Sequence, residues 1–394
     1  MPGALEGIRV LDLAQVWAVP GAGMYLADQG AEVIKVEPPW GDDGRRVLTA
    51  APLGEEARHF LVLNRNKRSI VVDITTPEGR EIIYRLVERV DVLLQNFRPG
   101  VAERRGLDYE TLRAINPRLI YVAVTPFGLK GPYANRRAYD LIVQGLAGAL
   151  SARTLPDGSP AGTGVWIADC SAPMLIAYGV TLALFARERT GQGQRVDTAL
   201  LAAAIAMQSV DLIQAEWEEH FPESYAAQAA YSPYRCADGS YLILVVVNEQ
   251  QWQALCRVLD LASLTTDPRF ATPQGRSENS DLLFPLLQER FLTRPREEWL
   301  TRLQEAEVPC APVLTRAEVL RHPQMRENEF IVSVEHPYLG GKVDMMGIPV
   351  RLSATPGAIR SAAPQLGEHT EEVLQELGYS ATEIQHLRAQ KVIG

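Results

Sequence analysis

Positive charge is in short supply: 39 Lys and Arg stand against 48 Asp and Glu in 394 residues, a formal net charge of −9. A nucleic-acid coat or an anionic membrane surface calls for a broad basic face, so the balance argues against both kinds of partner. It leaves room for a local basic pocket that takes a phosphorylated small molecule. Cysteine is scarce as well. Cys170, Cys236, Cys256 and Cys310 are widely separated and form no C-x-x-C pair, which removes zinc-ribbon and thioredoxin-like readings and suits a reducing cytoplasm. No window approaches the ~18 uninterrupted apolar residues of a membrane span. Met1–Gly7 lacks the basic flank and apolar run of a signal peptide. His59, His220, His322, His336, His369 and His386 show no metal-ligand spacing, so no metal site is expected and the histidines read as structural or surface groups. There is no G-x-S-x-G elbow, Walker A loop or kinase set.

What is present is ordinary globular composition, 46% hydrophobic and 22% charged. The length is two to three times a domain of roughly 100–150 residues. Strand-like and helix-like segments alternate at the start. Ile8–Leu13, Ala31–Glu37, Ser69–Ile74, Val90–Leu94 and Leu119–Thr125 read as strands. Gly21–Gln29, Glu78–Val87 and Asp108–Ile115 read as helices, the second opening with Pro at its first turn. Such alternation indicates a parallel sheet covered on both faces. Pro173–Arg187 and Asp197–Gln214 follow as apolar helices, of the kind buried in a large core or at an oligomer contact. The organisation expected is a first part of a large domain over 1–200, a linker over 201–230, a small α+β domain over 231–325, and a return segment over 326–394.

Gly21-Ala22-Gly23 after the first strand, with Glu37 ending the second, faintly matches a dinucleotide fingerprint. Leu26 occupies the third glycine position, and the pair lies beyond the tight turn a pyrophosphate needs. Close helix packing is the plainer role, and an NAD-dependent oxidoreductase is a weak alternative. Cationic groups gather at Arg65-Asn66-Lys67-Arg68, Arg98 and Arg104-Arg105, near strand ends, where arginine can grip phosphate bidentately; solvated surface charge is their other reading. Asp169 precedes the apolar helix. With Pro173 as first helical residue it falls on the upstream loop, and the helix dipole would keep it ionised and nucleophilic. On local sequence alone the favoured reading is an ordinary capping acid. Cys170 beside it is either an activated thiol or a small buried residue.

Several blocks in order resemble the class III CoA-transferases (CaiB/BaiF type), the family of formyl-CoA transferase and carnitine CoA-transferase. They are Val33–Glu37, Asn64–Ile70, Asn96–Gly100, Gly131–Tyr133, Tyr139-Asp140, Arg189–Gln194 and Pro364–Thr370. The resemblance implies an α/β fold: a doubly wound parallel-sheet domain built from both chain ends, with a smaller α+β middle domain, in an interlocked homodimer. It implies Asp169 as the nucleophile that takes CoA from an acyl-CoA and passes it to a carboxylic acid through anhydride and aspartyl-CoA thioester intermediates. Coenzyme A and acyl-CoA enter as substrates, with no tightly bound cofactor. Val72, Thr75, Asn96, Phe97, Arg98 and Arg104 fall in CoA-binding blocks, and Arg137 and Tyr139 lie near the CoA and the carboxylate. Trp17 and Ala18 belong to the acyl pocket, whose backbone amides are placed to stabilise an oxyanion.

Departures bear on the reaction. Racemases of this family look for His-Asp where Tyr139-Asp140 stands, and neutral tyrosine is a poor base at pH 7. A racemase or isomerase is therefore the lesser alternative, ahead of a CoA-binding regulator without turnover. Formyl-CoA transferases carry glutamine in place of Trp17 and a glycine-rich flap in place of Val247–Gln250. An indole at the acyl site favours an acid other than oxalate. Pro38 replaces a basic residue common in the family.

Overall fold

Val10 and Leu11 are neighbours in the chain, both wholly buried, and they belong to different cores. The computed structural model, which describes residues 2–47, 51–54, 56–155, 157–219 and 228–394, repeats this alternation along every central strand. Val33, Val92, Leu94, Ile120, Val122 and Val124 point to one face. Ile34, Leu93, Tyr121 and Ala123 point to the other. A strand buried on both sides carries no polar face, which is why these segments read as near-continuous apolar runs. His220 and the part of the expected linker over 220–227 lie outside the described residues.

The first of two compact units comprises Met1–Ile213 and Glu327–Gly394. Its elements begin β1 (Arg9–Asp12), α1 (Ala18–Asp28), β2 (Glu32–Glu37), α2 (Arg58–Leu63), β3 (Lys67–Val71), α3 (Pro77–Val87), β4 (Val92–Gln95), α4 (Val101–Arg105), α5 (Tyr109–Ile115) and β5 (Ile120–Thr125). They continue through α6 (Asp140–Leu146), α7 (Ile167–Thr190), β6 (Arg195–Ala199) and α8 (Leu200–Ala206). The six strands are parallel, in the order β3-β2-β1-β4-β5-β6. That is the doubly wound arrangement, in which the winding reverses between β1 and β4 and a crevice opens at their carboxyl ends.

One face is covered by α1, α7 and α8 residues including Val19, Ile176, Val180 and Ala203. The other is covered by α3 and α5 together with the end of the chain. There Val373, Leu374, Ile384 and Leu387 pack against Ile70, Ile82 and Leu86. The Val71 amide donates to Thr370 Oγ1 at 3.0 Å and the Asp73 amide to the Val392 carbonyl at 2.7 Å. Both chain ends therefore build this unit.

The second unit, Gln214–Arg326, holds an antiparallel sheet of β7 (Tyr231–Arg235), β8 (Tyr241–Val245) and β9 (Cys310–Pro312). With it go helices α9 (Glu249–Val258), α10 (Pro273–Glu278), α11 (Ser280–Phe291), α12 (Arg296–Glu305) and α13 (Arg316–Val319). Trp252, Trp299, Phe270 and Phe291 fill its core. Asn248 caps α9 by accepting from the Gln251 amide. After α14 (Pro323–Glu327), β10 (Ile331–His336) and β11 (Gly341–Met346) form an antiparallel hairpin, and α15 (Thr370–Glu376) and α16 (Ala381–Ala389) close the chain.

Two local expectations are corrected. Asp197–Ala199 lies in β6, and only Leu200–Ala206 of the segment read as helix over Asp197–Gln214 is helical. Pro173 does not start its helix: α7 begins six residues earlier, at Ile167, and Pro173 sits inside it. By length and composition α7 is also the one described helix apolar enough to cross a bilayer. In this fold its buried side lies on the sheet, with Ala172, Ile176 and Val180 in the core.

Candidate active site

The turn from β1 into α1 is fixed from four sides. Asp12 Oδ1 accepts from the Ala14 amide at 3.0 Å. Asn96, just past β4, clamps Gln15 twice, accepting from its amide at 3.1 Å and donating to its carbonyl at 2.9 Å. Asp42 accepts from the Val16 amide at 2.9 Å, and Lys35 donates to the Ala14 carbonyl at 2.9 Å. Val16 has φ +74°, a conformation that a β-branched residue adopts only when its surroundings impose it. The supports are themselves buried ion pairs, Lys35–Asp42 at 2.6 Å and Lys67–Asp12 at 2.9 Å. Burial pushes the Lys67 ammonium down to about 8. Asn96 thus reaches across the point where the sheet winding reverses and ties the two sides of the crevice together.

Gly21 and Gly23 lie inside α1, away from the turn. A Cβ on Gly21 would stand 2.9 Å from Pro173 Cγ, and one on Gly23 would stand 3.1 Å from Lys67 Nζ and from Asp12 Oδ2. Both are packing glycines, which leaves the dinucleotide fingerprint without its phosphate turn. The Gly21–Pro173 contact sets α1 and α7 side by side with their N-termini at one end.

Asp169 lies in the first turn of α7, not on a loop before it. The residue at the helix cap, Trp166, offers no side-chain cap bond. Asp140 supplies it from α6: its Oδ1 accepts from the Ala168 amide at 2.7 Å and the Asp169 amide at 3.0 Å. Gln144 Nε2 bonds the other oxygen of Asp140 and also the Val165 carbonyl. Thr163 holds the Gln144 carbonyl oxygen at 2.9 Å. The helix's positive end is thereby answered by Asp140. The Asp169 carboxyl is pushed up to about 7, first by burial and then by the Asp140 charge. This corrects the expectation that the dipole keeps it freely ionised. Cys170 is an exposed residue, and the protein packed at its sulfur, with the charges of Asp169 and Asp140, pushes the thiol up. It is neither buried nor activated.

Aromatic rings extend the cluster. Trp17 stacks on His59 with centroids 4.8 Å apart and planes 2° from parallel. It meets Trp166 at 6.1 Å on its way to the start of α7. His59 is 7% exposed, and neither ring nitrogen has a hydrogen-bond partner among the described residues. A buried polar atom left so costs about 1–3 kcal/mol. His59 is no surface group, nor is His336, which is 3% exposed and equally unpaired.

The cationic blocks divide sharply. Arg65 is buried against Asp28 at 2.6 Å, Lys67 belongs to Asp12, and Arg68 is shared by Glu32, Glu372 and Glu376. These hold the fold together and are not phosphate grips. Arg98, just past β4, and Arg104, in the last turn of α4, are exposed, with no ion pair among the described residues. Arg105 donates to the Thr75 carbonyl at 3.4 Å. Phe97 is half-buried, and its amide is taken by Gln95. Val72 is buried at the end of β3, with its amide on the Glu37 carbonyl. Arg137 and Tyr139 are exposed ahead of α6, Tyr139 at its cap.

Of the residues picked from sequence, the fold links Trp17 and Ala18 to Asn96 through the turn, and Tyr139 to Asp169 through Asp140. Among the described residues no hydrogen bond joins Val72, Phe97 or Arg104 to Asp169. Sequence reading missed His59, Trp166, Asp42 and the capping role of Asp140, since none forms a local pattern.

The sequence pattern of CoA-transferase family III matches residues 5–370. Formyl-CoA:oxalate CoA-transferase from Streptomyces coelicolor is 36% identical over 410 residues, covering 99% of this chain and 99% of that protein. Succinate–glutarate CoA-transferase from Agrobacterium fabrum is 37% identical over 383 residues, covering 95% of each. The crystal structure of a CAIB/BAIF family protein from Brucella suis superposes with a TM-score of 0.85 at 36% identity, over 96% of this chain and 100% of that one.

Proposed function

We propose, for a chain that belongs to CoA-transferase family III, that it moves CoA from an acyl-CoA to a free carboxylic acid with Asp169 as covalent nucleophile. It is a CoA-transferase, and CoA thioesters are its substrates. The observation that carries the covalent role is the Asp169 carboxyl in the first turn of α7, half-buried beside the Asp140 charge and raised to about 7. A more basic carboxylate is a better nucleophile once ionised, and it loses less solvation in attacking.

In the proposed sequence an Asp169 oxygen attacks the thioester carbonyl, the C–S bond breaks, and CoA leaves as thiolate. The thiolate attacks the aspartyl carbonyl of the mixed anhydride, releasing the first acid and forming the aspartyl-CoA thioester. The second acid's carboxylate attacks that thioester, again expelling thiolate. The thiolate then attacks the acyl carbonyl of the new anhydride, forming the new acyl-CoA and freeing Asp169. Anhydride and thioester are of similar reactivity, so no step stores much energy. The first amides of α1, at Ala18 and Val19, have no intrahelical partner and suit a developing oxyanion. Arg98 and Arg104 suit the nucleotide phosphates, with Val72, Thr75, Asn96, Phe97, Arg137 and Tyr139 contributing to CoA placement, Asn96 by holding the turn. A racemase would need a free base where Asp140 is buried and bonded to two amides.

A homodimer is part of the proposal. Met174, Tyr178, Leu182 and Phe185 recur at helical spacing and are exposed along α7, with Leu141, Ile142 and Leu146 exposed on α6. An apolar face of this extent suits a second copy. Four free cysteines accord with a cytoplasmic setting.

The test is intact-protein mass spectrometry after incubation with a panel of acyl-CoAs. A CoA-sized adduct on the wild type and none on Asp169→Ala supports the route. An adduct that persists on Asp169→Ala assigns the nucleophile elsewhere.

A further inference from the structure

We infer that His59 is a specificity-determining residue of the acyl pocket, its imidazole taking the far carboxylate of a dicarboxylic acyl chain. The inference rests on the transfer reading above, and it names the substrate class. Three observations carry it. The ring is more than nine-tenths buried, yet both of its nitrogens lack hydrogen-bond partners among the described residues. Its other polar neighbours are committed: Asp42 bonds Val16 and Gly44 and pairs with Lys35. The ring lies flat on Trp17, the residue immediately before α1, and the indole in turn meets Trp166 at the start of the Asp169 helix.

A buried imidazole that only filled space would be replaced at no loss by phenylalanine, because the stack needs no nitrogen. A buried polar ring left unpaired beside the Trp17 site is paired by the acyl chain that enters there. The charge setting selects the kind of visitor. Burial lowers the basicity of His59, while the Asp42 carboxylate and the Gly44 backbone pull toward the protonated ring. An entering anion adds to that pull and tips the ring to imidazolium, which has a donor for the anion and one for the protein side. Trp17 covers the apolar stem of the acyl chain, and His59 reads its end. A chain ending in methyl leaves both nitrogens unpaired, so the site discriminates against it.

Succinyl-CoA and butyryl-CoA, which differ at that end, are the probes. For the wild type, kcat/KM is expected to favour succinyl-CoA at least tenfold. In His59→Phe, which keeps the stack, succinyl-CoA is expected to lose that advantage while butyryl-CoA is unchanged or improved. Equal losses for both donors, or a wild type that prefers butyryl-CoA, would overturn the proposal. A second readout does not depend on turnover. In Asp169→Ala carrying 15N-histidine, succinyl-CoA is expected to move the His59 ring resonances toward imidazolium, and butyryl-CoA is not. No movement with succinyl-CoA rejects the role of His59 whatever the transfer assay gives. Movement without any transfer keeps His59 as the reader and rejects the covalent reading instead.

Discussion

The Asp140 carboxylate accepts from the backbone amide of Asp169 at 3.0 Å and from that of Ala168 at 2.7 Å. One acid therefore caps the helix that carries the other, and its charge adds to the burial that raises that neighbour's carboxyl.

The pH dependence follows from this pairing. Asp169 attacks as the carboxylate, and its carboxyl is raised to about 7. The raised value means the neutral form dominates below pH 7, so kcat/KM for the acyl-CoA donor is expected to rise with pH through about 7 to a plateau. Asp140→Asn removes the neighbouring negative charge while keeping an acceptor for the amides. Its profile is expected to shift to lower pH. An unmoved midpoint would detach Asp169 titration from the activity.

Phosphate binding should separate by residue rather than by charge. Arg98→Ala and Arg104→Ala are each expected to raise KM for acyl-CoA about tenfold or more, the size of a lost charge-assisted hydrogen bond, with kcat little changed. A pantetheine thioester lacking the nucleotide should not feel either change. Arg68→Ala, which removes the partner of Glu32, Glu372 and Glu376, should leave KM alone. Titrating initial rates against each donor checks all three.

The helix pair α1–α7 tolerates no added volume at Gly21, where a Cβ would meet Pro173 Cγ at 2.9 Å. Gly21→Ala is expected to cost about 1–3 kcal/mol by overpacking, read by chemical denaturation. Gly145→Ala, whose added carbon meets only Leu150 Cδ1 at 3.7 Å, is the control and should be close to neutral.

Breaking a buried pair should be worse. Lys67→Met leaves Asp12 without its ammonium partner, in a place where neither side chain is exposed. The expected loss is about 3–5 kcal/mol, with a matching fall in the denaturation midpoint. The double change Asp12→Asn with Lys67→Met should recover part of it.

Association is the last prediction. Sedimentation of the wild type is expected to give twice the chain mass. Replacing Tyr178, Leu182 and Phe185, all exposed on α7, by glutamate should change that mass. A wild type that sediments as a monomer at micromolar concentration would remove the second copy from the proposal.

The sequence by itself determined the layers. Runs such as Val10-Leu11 and Val92–Leu94 are apolar on both strand faces, and that demands cover on both sides of a parallel sheet. Thr76-Pro77 marked the start of α3 because a cap and a fixed φ are local properties, and the structure puts the Thr76 side chain on the Gly79 amide. Asp169 was legible through its block, but its surroundings were not. Pro173 looked like a helix start, because a missing amide is harmless there; the structure puts it inside α7, against Gly21 of α1. Arg68 and Arg98 are the same residue type near strand ends, and which one is free depends on acids distant in sequence, such as Glu376. His59 belongs to no pattern in the chain, and its stack on Trp17 exists only once α2 meets the turn before α1. Propensity and periodicity act over a few residues and fixed the elements. Charge state, partner and pocket depend on what burial brings together, and those were decided by the tertiary structure alone.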